Sequence, residues 1–124
     1  MSRLSTTYAD NALNAIFNSS TTYYLALFTS DPSTTGASGE VTGGSYARQA
    51  ITFSAAAANA QASTNAQSFA GLPAEASGVP YFGVFTASTG GTYIAGGTTS
   101  GLSSAISAGA TVSFAIGAVT TALS

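Results

Sequence analysis

Thr22-Tyr23-Tyr24-Leu25-Ala26-Leu27-Phe28-Thr29, followed at once by Ser30-Asp31-Pro32, is the stretch that decides the fold class. Its aromatic and apolar side chains fall on both alternating faces, so a strand here is covered on both sides. Asp31-Pro32 then ends it, because aspartate bonds its own backbone in turns and proline has no N–H for a sheet ladder. Working outward, Tyr46-Ala47-Arg48-Gln49-Ala50-Ile51-Thr52-Phe53 alternates and predicts a second strand. Ala47, Gln49, Ile51 and Phe53 lie on one side of it and Tyr46, Arg48, Ala50 and Thr52 on the other. Gln67-Ser68-Phe69-Ala70 reads as a short strand closed by Gly71-Leu72-Pro73. Tyr81-Phe82-Gly83-Val84-Phe85-Thr86 reads as another, with Gly90-Gly91 as a hairpin signal before Thr92-Tyr93-Ile94-Ala95-Gly96. The tail alternates most clearly: Ala110, Val112, Phe114 and Ile116 against Thr111, Ser113 and Ala115, then Val119, Thr121 and Leu123 after Gly117.

Two stretches have no strand period. Residues 31–45, rich in Ser, Thr and Gly, form a long connection and a candidate contact loop. Ser54 to Gln67 is a tract of Ala, Asn, Gln and Ser; alanine favours helix, but no stripe of large apolar residues supports one, so an extended or irregular path is expected.

One helix is predicted, in residues 1–20. Ser5, Thr6 or Thr7 can cap it, Asp10 is placed in its first turn, and Tyr8, Ala9, Ala12, Leu13, Ile16 and Phe17 form an apolar stripe. Asn18-Ser19-Ser20 stops it. A helix this short is marginal alone, so its stripe must be buried against the rest of the fold or a neighbouring subunit. Short strands punctuated by Gly and Pro, with one N-terminal helix, imply a mainly β fold: an antiparallel sandwich or barrel, jelly-roll-like. The length suits a single domain spanning 1–124.

Only six side chains are charged, two Arg and four Asp or Glu, and His, Cys, Lys and Trp are absent. General acid–base work, nucleophilic activation and transition-metal binding draw on those missing types or on clustered carboxylates. The expectation is therefore a chain with no catalytic, cofactor-binding or metal-binding residues. Asp31 and Glu40 share one loop, but their spacing matches no ligand run. Two arginines make no footprint for phosphates, so nucleic acid is not an expected partner. Gly, Ser or Thr breaks every apolar stretch short of a membrane span. At 5% charged and 45% hydrophobic, the chain departs from an ordinary soluble domain, about a quarter of which is charged. Such a surface suits burial in an assembly, and a homo-oligomer is expected, with a trimer as one candidate. Candidate interface residues are Tyr8, Leu13 and Phe17 on the helix, and Glu40, Tyr46 and Arg48. Arg48, a lone cation in a strand, needs a carboxylate: Glu40, Glu75 or one on a partner.

Three stretches together resemble small virion structural proteins of tailed bacteriophages, a group that includes tail-fibre-like and capsid decoration (cement) proteins. They are Leu25-Ala26-Leu27-Phe28-Thr29-Ser30-Asp31-Pro32 through Gly39-Glu40-Val41 to Gly43-Gly44-Ser45-Tyr46-Ala47-Arg48-Gln49 and Phe53, then Tyr81-Phe82-Gly83-Val84-Phe85 with Gly90-Gly91, then Ala108-Gly109 to Leu123. The chain differs from the pattern at Thr86 and Ala110, where an aspartate is common. The resemblance implies a virion protein assembled in the bacterial host cytoplasm. Its first implied role is capsid decoration, binding the major capsid protein lattice on the capsid surface. A tail or tail-fibre component contacting tail proteins is the alternative. A carbohydrate-binding module built on Tyr23, Tyr24, Tyr46, Tyr81 and Tyr93 is a rival from another class.

Overall fold

The computed structural model describes residues 5–32, 35–36, 39–99 and 101–122. Helix α1 (Thr6–Ile16) is followed by strands β1 (Tyr23–Phe28), β2 (Gln49–Ile51), β3 (Ala60–Ala62), β4 (Gln67–Leu72), β5 (Tyr81–Phe85), β6 (Tyr93–Thr98), β7 (Ala110–Phe114) and β8 (Thr120–Ala122). A four-stranded sheet has the order β2-β1-β5-β6, while β3 pairs with β8 and β4 with β7. β1 with β5, β5 with β6 and β3 with β8 are antiparallel. The fold is mainly β with one short N-terminal helix, as expected. None of the described sheets closes on itself, so the open, sandwich-type form of that expectation stands and the barrel does not.

The chain forms two compact units. The larger comprises Tyr23–Ala50 and Ser68–Ser113, the smaller the residues up to Thr22, Ile51–Gln67 and those from Phe114 onward. In the larger unit β1 is covered on both faces: Leu25, Ala26, Leu27 and Phe28 are fully buried. Antiparallel register sets Ala26 opposite Gly83 and Phe28 opposite Tyr81. A Cβ at Gly83 would lie 2.8 Å from the Phe28 ring and 3.0 Å from the Tyr93 ring, so only glycine lets these aromatics close over β5. Phe28 and Phe85 stack at 6.1 Å, and Tyr93 meets Phe85 edge-on at 5.5 Å.

In its second half the long connection runs along β1. Thr29 N–H donates to Gly39 O (2.8 Å), Val41 N–H donates to Leu27 O (3.0 Å), and Val41 is buried. Residues 33, 34, 37 and 38 lie outside the described residues. The strand predicted over 46–53 is regular only at Gln49–Ile51. Tyr46 lies outside it because the chain is still turning there, its N–H bonded to Gly43 O at 3.2 Å.

In the smaller unit Ser5 caps α1, accepting from the Tyr8 N–H at 3.4 Å. Ala9, Leu13 and Phe17 form its buried row, and Phe17 packs on Phe53 with ring centroids 4.7 Å apart. The buried stripe is narrower than the sequence suggested, since Tyr8 and Ile16 are exposed. Asp10 also differs from expectation. It lies past the first turn, and its carboxylate accepts the Asn59 N–H at 2.9 Å instead of serving the helix terminus.

The alanine-rich tract is a tight hairpin. Ala57 and Ala60 exchange N–H···O bonds of 3.0 Å in both directions, with Ala58 and Asn59 at φ 51° and 66°. Two positive-φ central residues define a type I′ turn, which matches strand twist. The tract runs on into β3, where buried Gln61 donates through Nε2 to Phe17 O (2.7 Å) and Ser54 O (3.0 Å). At the chain's end Val112 and Val119 are buried but Ile116 is not, and Leu123 lies outside the described residues.

Candidate functional site

Arg48, Glu40 and Tyr46 converge in the larger unit. Gly43 and Gly44, at φ 102° and 56°, turn the chain, and the Tyr46 N–H closes that turn on Gly43 O at 3.2 Å. This brings Tyr46 and Arg48 back over the Gly39–Val41 segment that lies along β1. Arg48 grips Glu40 in a fork, Nε to Oε2 and Nη2 to Oε1, both 2.8 Å. Tyr46 Oη donates to Glu40 Oε2 at 2.8 Å and accepts the Leu27 N–H at 3.1 Å. Arg48 Nη1 donates to Ala87 O (3.0 Å) and Gly90 O (2.8 Å), inside the β5–β6 connection. Its guanidinium carbon sits 3.7 Å from the centroid of the Phe85 ring, a cation–π contact.

One cation thus ties three chain segments together. Arginine suits this because its planar, always-charged fork can serve a carboxylate, two carbonyls and an aromatic face at once. Four of its five N–H groups are engaged by these bonds. The Arg48 side chain is 10% exposed and that of Glu40 26%. Burial pushes the Glu40 carboxyl up, but hydrogen bonds from Arg48 and Tyr46 and the Arg48 charge outweigh it, so it titrates below the usual carboxylate range. Burial first, and then its bond to Glu40, push the Tyr46 phenol far up, so it stays a proton donor at neutral pH. The cluster has no free base, and its geometry is that of a structural clip. Beside it lies an open groove of about 410 Å³, bordered by Glu40, Thr42, Tyr46, Arg48, Ser88 and Gly90.

Of the six residues singled out from the sequence, the structure brings Glu40, Tyr46 and Arg48 together. Leu13 and Phe17 are buried in the smaller unit, 3% and 2% exposed, while Tyr8 is 70% exposed. Sequence reasoning missed the Phe85 ring and the Ala87 and Gly90 carbonyls. Backbone acceptors leave no trace in residue identity, and only the glycine-rich turn hinted that carbonyls were accessible there. The carboxylates are dispersed: among the described residues no three His, Cys, Asp or Glu side chains are grouped to hold a metal ion. No described helix is long and apolar enough to cross a membrane.

The family model described as "Podophage GP4 fiber I protein gp80" matches residues 3–122. The chain belongs to this family. Membership in the gp80 fibre family makes it a small structural protein of a tailed-phage virion, bearing out the resemblance read from the sequence. The family's description names a fibre and makes no mention of a capsid. No curated protein matches the chain.

Proposed function

We propose that this chain is a structural component of a podophage tail fibre, acting by shape and contact, with no catalytic step. The observation that carries this is the match of nearly the whole chain, residues 3–122, to a family described as a fibre protein. It favours the tail over the capsid decoration role that composition and resemblance alone put first.

The physical character of the chain supports the same role. A rod or tip component must present a fixed shape, and the buried aromatic cluster of β1, β5 and β6, locked by Arg48, supplies a rigid body. With six charged residues in 124, two of them consumed by the clip, contacts to neighbouring tail proteins would be mostly apolar and hydrogen-bonded. Many weak contacts of that kind become strong when several copies engage at once. Quantitative mass spectrometry of purified particles tests the proposal: a fibre component is present in a few to tens of copies. Hundreds of copies per particle, scaling with the major capsid protein, would overturn it in favour of a capsid decoration role.

A further inference from the structure

Four buried side-chain oxygens have no hydrogen-bond partner among the described residues: Asn59 Oδ1, Gln61 Oε1, Gln67 Oε1 and Thr121 Oγ1. All four belong to the smaller unit. A buried oxygen left unpaired is costly, because it has given up its bonds to water and gained none in return, and native interiors leave few of them. Two of the four are set opposite each other by the fold. Gln61 on β3 and Thr121 on β8 are register partners in the antiparallel pair, so their side chains leave the same face with Cβ atoms about 5 Å apart.

The chemistry of these two oxygens is complementary. The Gln61 amide cannot be turned over: its Nε2 donates to Phe17 O at 2.7 Å and to Ser54 O at 3.0 Å, and an oxygen in that place would face two acceptors. Oε1 is therefore an acceptor in need of a donor. Ser54 belongs to the hairpin arm that borders β3 on the edge away from β8, its N–H bonded to Ala62 O at 2.9 Å. With the amide nitrogen drawn toward that arm, the amide oxygen is left on the side of β8. The Thr121 hydroxyl, which has a proton to donate, stands on that side and is not bonded to it directly.

We propose that one internal water molecule bridges Gln61 and Thr121, donating to Gln61 Oε1 and accepting the Thr121 hydroxyl proton. Gln61 is 2% exposed and the Thr121 oxygen is sealed from solvent, so this water is trapped inside the unit. Two protein partners are enough to hold such a molecule, and a bridged bond is enthalpically nearly as good as a direct one. The bridge puts Gln61 at the centre of the unit. Its one amide joins the C-cap of α1 through Phe17 O, the hairpin through Ser54 O and, by way of the water, β8. A buried polar network whose members are all bonded fixes one arrangement of the elements around it. The inference concerns how this unit holds itself together and is independent of the fibre assignment.

A high-resolution crystal structure of the purified chain should show one water within about 3 Å of both Gln61 Oε1 and Thr121 Oγ1. Thr121→Val keeps the shape of the side chain and removes its hydroxyl, so the sign of its effect is informative. With the bridge present, the variant takes away one of the water's two partners, and Tm should fall by about 4 °C. In a dry site the same change removes an unpaired buried hydroxyl, and Tm would rise. Oxygen-17 relaxation dispersion, which counts long-lived internal waters, should register one fewer in Thr121→Val than in the native chain. Gln61 and Thr121 bonded directly to each other, or a gap between them without water density, would overturn the proposal. So would a Thr121→Val Tm that is unchanged or raised, or a dispersion equal to that of the native chain.

Discussion

Replacing Glu40 with alanine removes the anion from the Arg48 clip and leaves a cation, 10% exposed, fixed over Phe85 with its Nε and Nη2 donors unpaired. The Tyr46 hydroxyl loses its acceptor in the same step. Breaking a fully buried ion pair costs about 3–5 kcal/mol because the surviving charge stays uncompensated. Glu40 is 26% exposed, so water can reach the vacated position and the cost falls below that range, to about 2–3 kcal/mol. With an unfolding entropy near 2.1 cal/mol/K per residue, each kcal/mol is worth about 4 °C for a chain of 124 residues, so Tm should fall by roughly 8–12 °C. Thermal unfolding followed by circular dichroism measures this, with Arg48→Met and the Glu40→Ala/Arg48→Met double variant completing a cycle. The double variant should cost clearly less than the sum of the singles, since it leaves no orphaned charge. A Glu40→Ala loss below about 0.5 kcal/mol, or strictly additive singles, would refute the clip. The pH dependence has a definite sign. The Glu40 carboxyl is depressed in the folded state. Its contribution is therefore present above the unfolded carboxylate value near 4.3 and is lost as pH falls through the lower folded value. The native chain should lose its advantage over Glu40→Gln on acidification, and the two should converge.

Three other outcomes follow from the packing. Gly83→Ala forces a methyl against the Phe28 and Tyr93 rings and should destabilise by about 1–3 kcal/mol, visible as a lower denaturant midpoint with unchanged slope. Ala58→Gly relieves an alanine held at φ 51° in the type I′ turn and should raise stability by about 0.5–1 kcal/mol in the same assay; a loss would show that the turn is not as described. Because the chain has few charges with which to bind its neighbours, particles washed in high salt should retain it, and its release in moderate salt would count against an apolar, hydrogen-bonded attachment.

The strands were legible where side-chain chemistry speaks for itself. Tyr23–Phe28 and Tyr81–Phe85 are dense in large apolar residues, and most of them are buried, with Tyr24, Tyr81 and Phe82 half-buried. That Arg48 needs a carboxylate was legible, with Glu40 one of three candidates; the fold selects Glu40 by laying the Gly39–Val41 segment along β1. The hairpin at Ala57–Ala60 was not legible, because alanine is a poor candidate for positive φ and only Asn59 tolerates it readily. Its conformation is supported from outside the tract by Asp10 and Asn14, which accept the Asn59 and Ala56 N–H groups. The same tertiary contact explains why Asp10 looked like a helix-dipole partner in sequence and serves a different backbone in the fold. The clip was only half visible, since its Ala87 and Gly90 acceptors are backbone carbonyls and any residue type could have supplied them.

Imaging tagged phage particles tests the assignment to the fibre most directly. Gold directed to an epitope fused to this chain should decorate the tail in electron micrographs of intact particles and leave the head bare. Gold spread over the capsid, or absent from particles that are complete and infectious, would contradict it.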